Sequence, residues 1–314
     1  MITSRVSTQE SPAASKPVGL LADKRFWIVL SLLTVYVIWG TTYLGIRFAL
    51  ESFPPYMLMG IRFVLAGGAL FVFLRVRGAP MPTLKQWGNA TLMGILLLVF
   101  GMGSVAMAEQ WVSSGLAATL VATAPLWAML FSMLWRNFPT RSEWIGVGLG
   151  LVGVVILSLE GNLQANPLGV VLILFATASW SLGSVWMRRL DMPKGAMGNA
   201  AEMLTGGIIL MIVAVLQGEQ IVGMPTTNAL LAMIYLTTFG SLATITAYMY
   251  LLKTVSPALA TSYAFVNPAI ALLLGVVIGG EEIGTSALIA LPIILVGIAF
   301  VLRSSGRNKQ QTEH

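Results

Sequence analysis

Residues 167–187 read PLGVVLILFATASWSLGSVWM, without a single Asp, Glu, Lys or Arg. A helix needs about 20 predominantly apolar residues to cross the hydrocarbon core of a bilayer, and this stretch has that length. It follows the turn-forming pair Gly161-Asn162, as expected where one span ends and the next begins. The stretch is therefore predicted to be a transmembrane helix.

The same pattern recurs along the whole chain. Of its 314 residues 57% are hydrophobic and 10% are charged, whereas about a quarter of the residues in a soluble domain are charged. The mean hydropathy of +0.85 agrees, because a soluble protein this apolar could not cover its surface with polar groups. The fold class is therefore predicted to be an all-α membrane protein with ten transmembrane helices. The predicted spans are 27–47, 56–74, 88–108, 114–135, 143–159, 167–187, 197–216, 229–251, 257–279 and 286–302.

Basic residues mark one face of the predicted bundle. Of the 18 Lys and Arg residues, all but Arg47 and Arg62 fall in the tails and loops on the side of the N-terminus. Because cytoplasmic loops are enriched in Lys and Arg, both termini are predicted to be cytoplasmic. The pI near 9.8 is thereby explained by topology, so nucleic acid is not expected as a partner. The opposite face carries Glu51, Glu109, Glu160, Glu219, Glu281 and Glu282.

Matching motifs recur about 140 residues apart, which indicates an internal duplication. Trp39 in the first span corresponds to Trp180 in the sixth, and Pro125 in the fourth corresponds to Pro268 in the ninth. Each half has five spans, an odd number, so the second half must enter the membrane upside down relative to the first. Inverted-topology repeats are typical of secondary transporters. The predicted domains are a disordered cytoplasmic tail at 1–26, a first five-helix repeat at 27–159, a second five-helix repeat at 167–302 and a cytoplasmic tail at 303–314.

Two prolines, Pro125 and Pro268, fall near the middle of their predicted spans. A proline inside a helix leaves a backbone carbonyl without its usual donor, and in lipid that carbonyl needs another partner or a cavity. Both prolines are therefore interpreted as helix breaks that line a transport pathway, with ordinary packing kinks as the alternative. Asn267, next to Pro268, and Tyr263, one helical turn earlier on the same face, favour the pathway.

Aromatic and hydroxyl side chains share helical faces. Trp39 and Tyr43 lie on one face of the first span, and Trp180 and Ser184 lie on the equivalent face of the sixth. Both tryptophans are in mid-span, whereas membrane tryptophans are usually interfacial anchors. They are interpreted as walls of an aromatic cavity that stacks on amphipathic or cationic solutes, with helix packing as the alternative. The predicted cavity residues are Trp39, Tyr43, Trp180, Ser184, Thr244, Tyr248, Tyr263 and Asn267.

Ionisable side chains within spans are functional candidates, because burying a charge in lipid is costly. Glu202 in the seventh span is a candidate proton-coupling carboxylate, and pairing with Arg188 or Arg189 is the alternative. Arg62 in the second span is interpreted as a structural residue that satisfies helix-end carbonyls. Glu109, at the end of the third span, is interpreted as a solvated loop residue rather than a group that attracts a cation.

The composition excludes several kinds of site. The chain has no cysteine, and its single histidine is His314 at the end of the sequence. Thiol chemistry and histidine-based sites in the membrane are therefore excluded. The sequence also lacks the G-x-x-x-x-G-K-[ST] phosphate loop, so the chain does not hydrolyse ATP by itself. An enzyme is not predicted, and neither a cofactor nor a metal is expected.

The motifs resemble those of the ten-span EamA-type exporters of the drug/metabolite transporter superfamily, over about residues 27–302. The resemblance implies two inverted repeats around a central cavity in a bacterial inner membrane. It implies export of amino acids, other metabolites or drugs, by proton exchange or facilitated diffusion. It also implies that the cavity is faced by Trp39, Tyr43, Trp180, Tyr263 and Asn267. The residues that carry the resemblance are 38–43, 61–63, 115–118, 124–126, 176–180 and 263–268.

The sequence thus predicts a secondary active transporter that works by alternating access. A passive channel or facilitator for small organic solutes is the closest alternative, and a non-transport membrane accessory protein is a remote one. The predicted partners are a small-molecule substrate and the lipid bilayer, with protons as a candidate coupling ion. Small residues at 146–150 are interpreted as packing within one chain, so a monomer or weak dimer is expected.

Overall fold

The computed structural model describes residues 24–311, except 137, 139, 160–165, 256–262 and 283. Every regular element in this part of the chain is a helix, and no strand occurs in it. The prediction of an all-helical fold is therefore confirmed. The predicted tail at 1–26 lies outside the described residues as far as residue 23.

The first half of the chain contains one π-helix between α-helices. A short 3₁₀ turn, Met133–Trp135, follows α6. In chain order the elements are α1 (Lys24–Ala49), α2 (Pro55–Val76), α3 (Leu84–Met93), the first π-helix (Gly94–Gly103), α4 (Ser104–Ala108), α5 (Ser114–Val121), α6 (Ala124–Ser132) and α7 (Arg141–Leu159).

The second half has the same kind of organisation. Its last helix continues past residue 302, the predicted end of the last span, so the backbone of the predicted C-terminal tail is helical as far as Gln311. The elements are α8 (Pro167–Met187), α9 (Ala196–Leu216), α10 (Thr227–Tyr235), the second π-helix (Leu236–Ala243), α11 (Thr244–Thr254), α12 (Tyr263–Val277) and α13 (Thr285–Gln311).

Seven helical segments in the described chain are long and apolar enough to cross a membrane. Three shorter apolar helices, Trp144–Gly153, Val266–Val277 and Leu288–Gly297, accompany them. All of these coincide with predicted spans. The seven long segments are Lys24–Ala49, Pro55–Val76, Leu84–Ala108, Ser114–Trp135, Pro167–Met187, Ala196–Leu216 and Thr227–Leu251.

Threonine caps begin the two helices that lead into the π-helices. The side chain of Thr83 accepts from the N–H of Gln86 at 3.3 Å, and the side chain of Gln86 accepts from the N–H of Thr83 at 3.1 Å. Thr226 accepts from the N–H of Ala229 at 3.2 Å. Each cap satisfies N–H groups that have no partner in the first turn, which stabilises a helix by about 1 kcal/mol.

Helices α2 and α9 run antiparallel and cross closely at matching glycines of the two halves. A Cβ atom added to Gly67 would lie 2.5 Å from the backbone nitrogen of Leu204, and one added to Gly207 would lie 2.7 Å from the backbone nitrogen of Val64. Both distances are too short for any side chain. The close contact of the two backbones therefore requires glycine at these positions.

The packing of the described helices repeats between the two halves of the chain. α2 packs on α9, and α7 packs on α13. The first π-helix packs on α8, as the second π-helix and α11 pack on α1. α6 packs on α8, as α12 packs on α1. Exchanging the first five predicted segments for the last five leaves this pattern unchanged.

Hydroxyl groups accompany both π-helices. The Oγ of Ser179 in α8 donates to the carbonyl of Leu96 in the first π-helix at 2.8 Å. The Oγ1 of Thr244 donates to the carbonyl of Phe239 in the second π-helix at 2.6 Å. Within lipid, a departure from α-helical hydrogen bonding requires such replacement donors. The two wide-turn segments are thus stabilised by polar side chains in otherwise apolar surroundings.

Candidate solute-binding site

Three predicted residues, Trp39, Tyr248 and Tyr263, meet in one aromatic cluster. The ring centroid of Trp39 lies 5.2 Å from that of Tyr248 and 4.8 Å from that of Tyr263, and the two tyrosine rings are 5.8 Å apart. The ring planes of Trp39 and Tyr263 are inclined by 79°, and those of the tyrosines by 85°. Such edge-to-face contacts are favourable because the electron-poor edge of one ring meets the electron-rich face of the other. The cluster joins α1 of the first half to α11 and α12 of the second.

The aromatic cluster rests on a firm apolar base. Val35 on α1 and Leu251 on α11 are fully buried and pack with the three rings. The phenol groups of Tyr248 and Tyr263 lie close enough to influence each other electrostatically. The arrangement offers ring faces and phenol oxygens together, which suits a solute with an apolar or cationic part and a hydrogen-bonding group.

Asn267 joins α12 to α1. With its amide oriented to satisfy its surroundings, the nitrogen donates to the carbonyls of Tyr36 at 3.1 Å and Tyr263 at 3.3 Å. The residue is buried. The helices approach closely here because Gly40 faces Ile270, and a Cβ on that glycine would lie 2.8 Å from the isoleucine side chain. The amide hydrogens of Asn267 therefore hold two helices together next to the aromatic cluster.

Pro125 and Pro268 have different surroundings. α5 ends at Val121 and α6 begins at Ala124, so Pro125 lies in the first turn of a new helix. The carbonyl of Ala124 at this interruption accepts from the Oγ of Ser181 in α8 at 2.9 Å. Pro268 lies inside α12, which continues through it without interruption. The helix is thus interrupted near Pro125, whereas it is continuous through Pro268.

Trp180, Ser184 and Thr244 make contacts of their own. The ring of Trp180 lies against Gly101 of the first π-helix, where an added Cβ would be 3.2 Å away. The Oγ of Ser184 donates to the carbonyl of Trp180 at 2.8 Å. Thr244 is fully buried, and its hydroxyl hydrogen is used within the second π-helix. None of these contacts involves the aromatic cluster.

Tyr43 lies one helical turn beyond Trp39 on α1. Its side chain packs against a buried apolar cluster whose members include Leu116 of α5 and Ile173 of α8. Its phenol is within electrostatic range of Tyr263 and of Glu109. Tyr43 therefore lies between the aromatic cluster and the end of the bundle that carries Glu109.

Glu202 is buried on α9 beside the first π-helix. Its carbonyl lies 2.9 Å from the position of a Cβ on Gly94. Among the described residues, neither Arg188 nor Arg189 forms an ion pair with it. The guanidinium of Arg189 instead lies 5.1 Å from the ring centroid of Trp135.

Arg62 is buried in α2, and its partner differs from the predicted one. Its Nε donates to the Oγ of Ser241 in the second π-helix at 2.9 Å, and its guanidinium carbon lies 5.0 Å from the ring centroid of Phe63. The residue was expected to satisfy carbonyls at a helix end. It instead donates to the hydroxyl of Ser241 in the other half, and this pairing depends on the contact between α2 and the second π-helix, which helical spacing does not reveal.

Glu109 is buried, with 5% of its surface exposed, so its interpretation as a solvated loop residue is wrong. The loop that follows it folds back on the bundle, because Val112 is buried and its side chain packs against Gly169 of α8. From hydropathy alone, a glutamate that follows an apolar run is expected to be exposed to water. The tertiary contact of α8 with this loop removes it from water.

Glu281, which the sequence did not single out, ties the two halves together. Its Oε1 lies 2.5 Å from the Nη1 of Arg47 and accepts from the N–H of Ser114 at 3.0 Å, and its Oε2 accepts from the N–H of Gly115 at 3.3 Å. It thereby caps the start of α5, where the helix dipole favours an anion. Glu219 likewise caps the start of α2, accepting from two backbone N–H groups at 2.7 and 3.2 Å. Both carboxylates follow helices of the second half and cap helices of the first.

A groove of about 690 Å³ opens at this acidic end of the bundle, named here for Glu51, Glu109, Glu219 and Glu281. Its walls include Glu51, Glu219 and Gln110, the neighbour of Glu109. None of the predicted cavity residues lines it. The groove and the aromatic cluster are therefore separate features of the same molecule.

Two stretches of the chain, residues 26–159 and 167–303, match the EamA-like transporter family. The chain belongs to this family. It is 46% identical over 272 residues to the inner membrane transporter YedA of Escherichia coli (strain K12), which covers 86% of this chain and 89% of YedA. The family resemblance predicted from the sequence is thereby confirmed, and within the family this EamA-like chain is similar to YedA.

More distant relatives extend the comparison. The EamA-like chain is 28% identical over 296 residues to the transporter YdfC of Bacillus subtilis (strain 168), covering 92% of this chain and 95% of YdfC. It is 24% identical over 290 residues to a chloroplastic WAT1-related protein of Arabidopsis thaliana, covering 88% of this chain and 69% of that protein. A protein crystal structure with 21% identity covers 87% of this chain and 96% of that chain with a TM-score of 0.63, so the fold is shared. Together with the membrane-spanning helices, these similarities identify a multi-pass inner membrane protein of a transporter family.

Proposed function

We propose that this protein is a secondary active transporter of small organic solutes, such as amino acids, other metabolites or drugs, and that it exports them by alternating access. The observation that carries the proposal is the aromatic cluster of Trp39, Tyr248 and Tyr263. It is built from both halves of a chain whose family is one of transporters. A movement of one half against the other would change the cluster, as an alternating-access site requires.

The proposed architecture is ten spans in two inverted five-helix repeats. The exchange symmetry of the helix packing supports it. Direction supports it too, since Gly60 faces Met211 while Gly67 faces Leu204, so α2 and its counterpart α9 run antiparallel. Corresponding helices of opposite direction are what an inverted repeat places side by side. The distribution of Lys and Arg supports cytoplasmic termini.

Within the proposed pathway the aromatic cluster supplies stacking and phenol hydrogen bonds. Tyr43 extends it toward the acidic end, and Asn267 keeps α1 and α12 in register beside it. Trp180, Ser184 and Thr244 are proposed to face the pathway from α8 and α11. Glu202 is proposed as a proton-coupling carboxylate, because it is buried and has no ion-pair partner among the described residues. The working unit is proposed to be a monomer or weak dimer.

Counterflow in proteoliposomes tests the proposal. The purified protein is first screened by thermal shift against amino acids and cationic drugs, and the radiolabelled form of the best stabiliser is used as the probe. We expect saturable counterflow by the wild type. Trp39→Ala should lower the rate about tenfold, because a stacking or cation–π contact of about 1–2 kcal/mol is lost.

The matched control is Trp144→Ala. Trp144 is 49% exposed and lies outside the cluster, so this variant should transport at the wild-type rate. Wild-type flux through Trp39→Ala would remove the aromatic cluster from the pathway. Flux that neither saturates nor shows counterflow would favour the alternative of a passive channel.

A further inference from the structure

The carboxylate of Glu109 has an unusual environment. It lies at the C-terminal end of α4 and is 5% exposed. Among the residues that the structure describes, neither of its two oxygens has a hydrogen-bond partner. A buried carboxylate without partners is strongly disfavoured as an anion, because it has lost its hydration and gained nothing in return.

The helix that carries Glu109 adds to this cost. The C-terminus of a helix bears a negative partial charge from its unpaired carbonyl groups, and an anion there is repelled. Glu281 and Glu219 sit at helix N-termini, where the dipole attracts them. The acidic end therefore contains two carboxylates placed where a charge is stabilised and one placed where it is not.

The nearest cations are already engaged. Arg47 and Arg62 both act on Glu109 electrostatically, but neither is within ion-pair distance of it. Arg47 pairs with Glu281, and the Nε of Arg62 donates to Ser241. Their positive charges lower the free energy of ionised Glu109, but neither arginine makes a direct contact that would stabilise the anion.

The other elements around Glu109 offer little more. α8 and the first π-helix pack against α4 and carry no titratable side chain. Ser114 is fully buried at the start of α5, beside Glu281, and its hydroxyl also lacks a partner among the described residues. The titratable groups that face this region are Tyr43 and Arg47 of α1, Tyr56 and Arg62 of α2, Tyr235 of α10, and Glu281.

We propose that Glu109 is a proton-binding site, neutral in the buried state described here and ionised when the acidic end admits water. A proton is the cation that fits, because it needs one carboxylate oxygen only. A metal cation needs several oxygen ligands around it, and Glu109 has no polar atom within hydrogen-bond distance in the described chain. On ionisation the proton passes from the carboxyl oxygen to water, and it returns when the site closes.

A groove that is open to water lies beside Glu109. Gln110, the next residue, lines the open groove of the acidic end. Release of the bonds that Glu281 makes to Arg47 and α5 would open this end further. If the proposed transport function holds, the proton on Glu109 would be exchanged at each opening, which would couple solute movement to a proton gradient. The proton site itself does not depend on that function.

Infrared difference spectroscopy of the purified protein tests the site without any transported solute. Spectra at about pH 6 and about pH 9 are compared, since exposed glutamates titrate near 4.3 and stay ionised throughout. We expect the carbonyl band of a protonated carboxylic acid at the lower pH, lost at the higher pH. That band should be missing in Glu109→Gln and present in Glu51→Gln, an exposed glutamate at the same end.

Any band from Glu202 would persist in Glu109→Gln and is assigned with Glu202→Gln. A Glu109→Gln spectrum identical to that of the wild type would overturn the proposal. Transport assays on the same preparations report separately on the proposed function, so the two failures are distinguishable.

A second measurement needs no variant. An apolar carbodiimide adds to protonated carboxylic acids and leaves carboxylates unmodified, and peptide mass spectrometry locates the adduct. We expect modification of Glu109 in the wild-type protein at about pH 6, falling about tenfold or more by pH 9. Absence of the adduct at pH 6, or an adduct independent of pH, would contradict a proton site at this residue.

Discussion

At the scale of single residues, Asn267 shows that a predicted binding residue also has a structural role. Its amide nitrogen donates to a carbonyl on α1 and to one on its own helix. The residue is buried, so neither donor is replaced by water when the contact is lost. The side chain therefore contributes to the stability of the bundle as well as to the proposed pathway.

Replacing this side chain should weaken the contact between α1 and α12. Asn267→Ala is expected to lower the free energy of unfolding by about 1–3 kcal/mol, because buried hydrogen bonds are removed. Thermal unfolding in detergent measures the change. Asn228→Ala, at an exposed position, should change stability by less than about 0.5 kcal/mol. Equal midpoints for the two variants would show that Asn267 does not hold the helices together.

The aromatic cluster could be predicted in part, whereas the state of Glu109 could not. Helical spacing and the repeat selected Trp39 and Tyr263, because both are properties of the sequence alone. The position of Trp180 against Gly101 depends on how α8 meets the first π-helix, which no local pattern records. The burial of Glu109 depends on Val112 and α8 in the same way. Hydropathy therefore could not predict that its carboxylate oxygens lack hydrogen-bond partners among the described residues.

At the scale of helices, the crossing of α2 and α9 gives a sharp test. Gly67 and Gly68 are neighbours on α2, but an added Cβ meets Leu204 at the first position and nothing within 4 Å at the second. Gly67→Ala should therefore destabilise the protein by about 1–3 kcal/mol through overpacking. Gly68→Ala should be neutral or stabilising by up to about 1 kcal/mol, because alanine has the higher helix propensity.

Denaturation midpoints of the two variants in the same detergent decide the matter. A destabilised Gly68→Ala, or a Gly67→Ala as stable as the wild type, would mean that α2 and α9 do not meet as described. The pair is well matched, since both changes add one methyl group to adjacent positions of one helix.

Helix positions followed from the sequence, whereas the helix type did not. Apolar stretches separated by turn-forming residues predicted where the described helices lie, because span length is set by bilayer thickness, although α13 continues to Gln311, beyond the predicted end at residue 302. The π-helices lie inside two of these stretches, and apolar composition is the same for α and π turns. Their hydrogen bonding involves partners such as Ser179, which comes from a distant part of the chain. The missing N–H of proline predicted helix breaks at both Pro125 and Pro268, but only Pro125 lies at an interruption and α12 continues through Pro268.

At the scale of the whole molecule, the distribution of Lys and Arg predicts that both termini are cytoplasmic. The absence of cysteine makes this directly measurable, because each introduced cysteine is then unique. Gln110 is exposed at the acidic end, and Lys194 is exposed in the loop between α8 and α9 at the other. The sequence also predicts an inverted repeat, since an odd number of spans in each half would place the second half in the opposite orientation.

Intact bacterial cells treated with a membrane-impermeant maleimide should label Gln110→Cys and spare Lys194→Cys. Both should react after the membrane is permeabilised. The expected pattern follows from basic loops remaining in the cytoplasm. Labelling of Lys194→Cys alone would reverse the orientation, and labelling of both in intact cells would contradict the number of spans between them.

The glycine crossing of α2 and α9 restricts where any cargo can travel. The backbones of the two helices are in contact at Gly67 and Gly207, so no solute can pass between them there. If the two halves move relative to each other, they can rotate about this contact, but they cannot separate here without losing the close packing of α2 and α9. If the proposed transport takes place, we expect the solute to pass elsewhere, among α1, α8 and the two π-helices, where side chains lie between the helices.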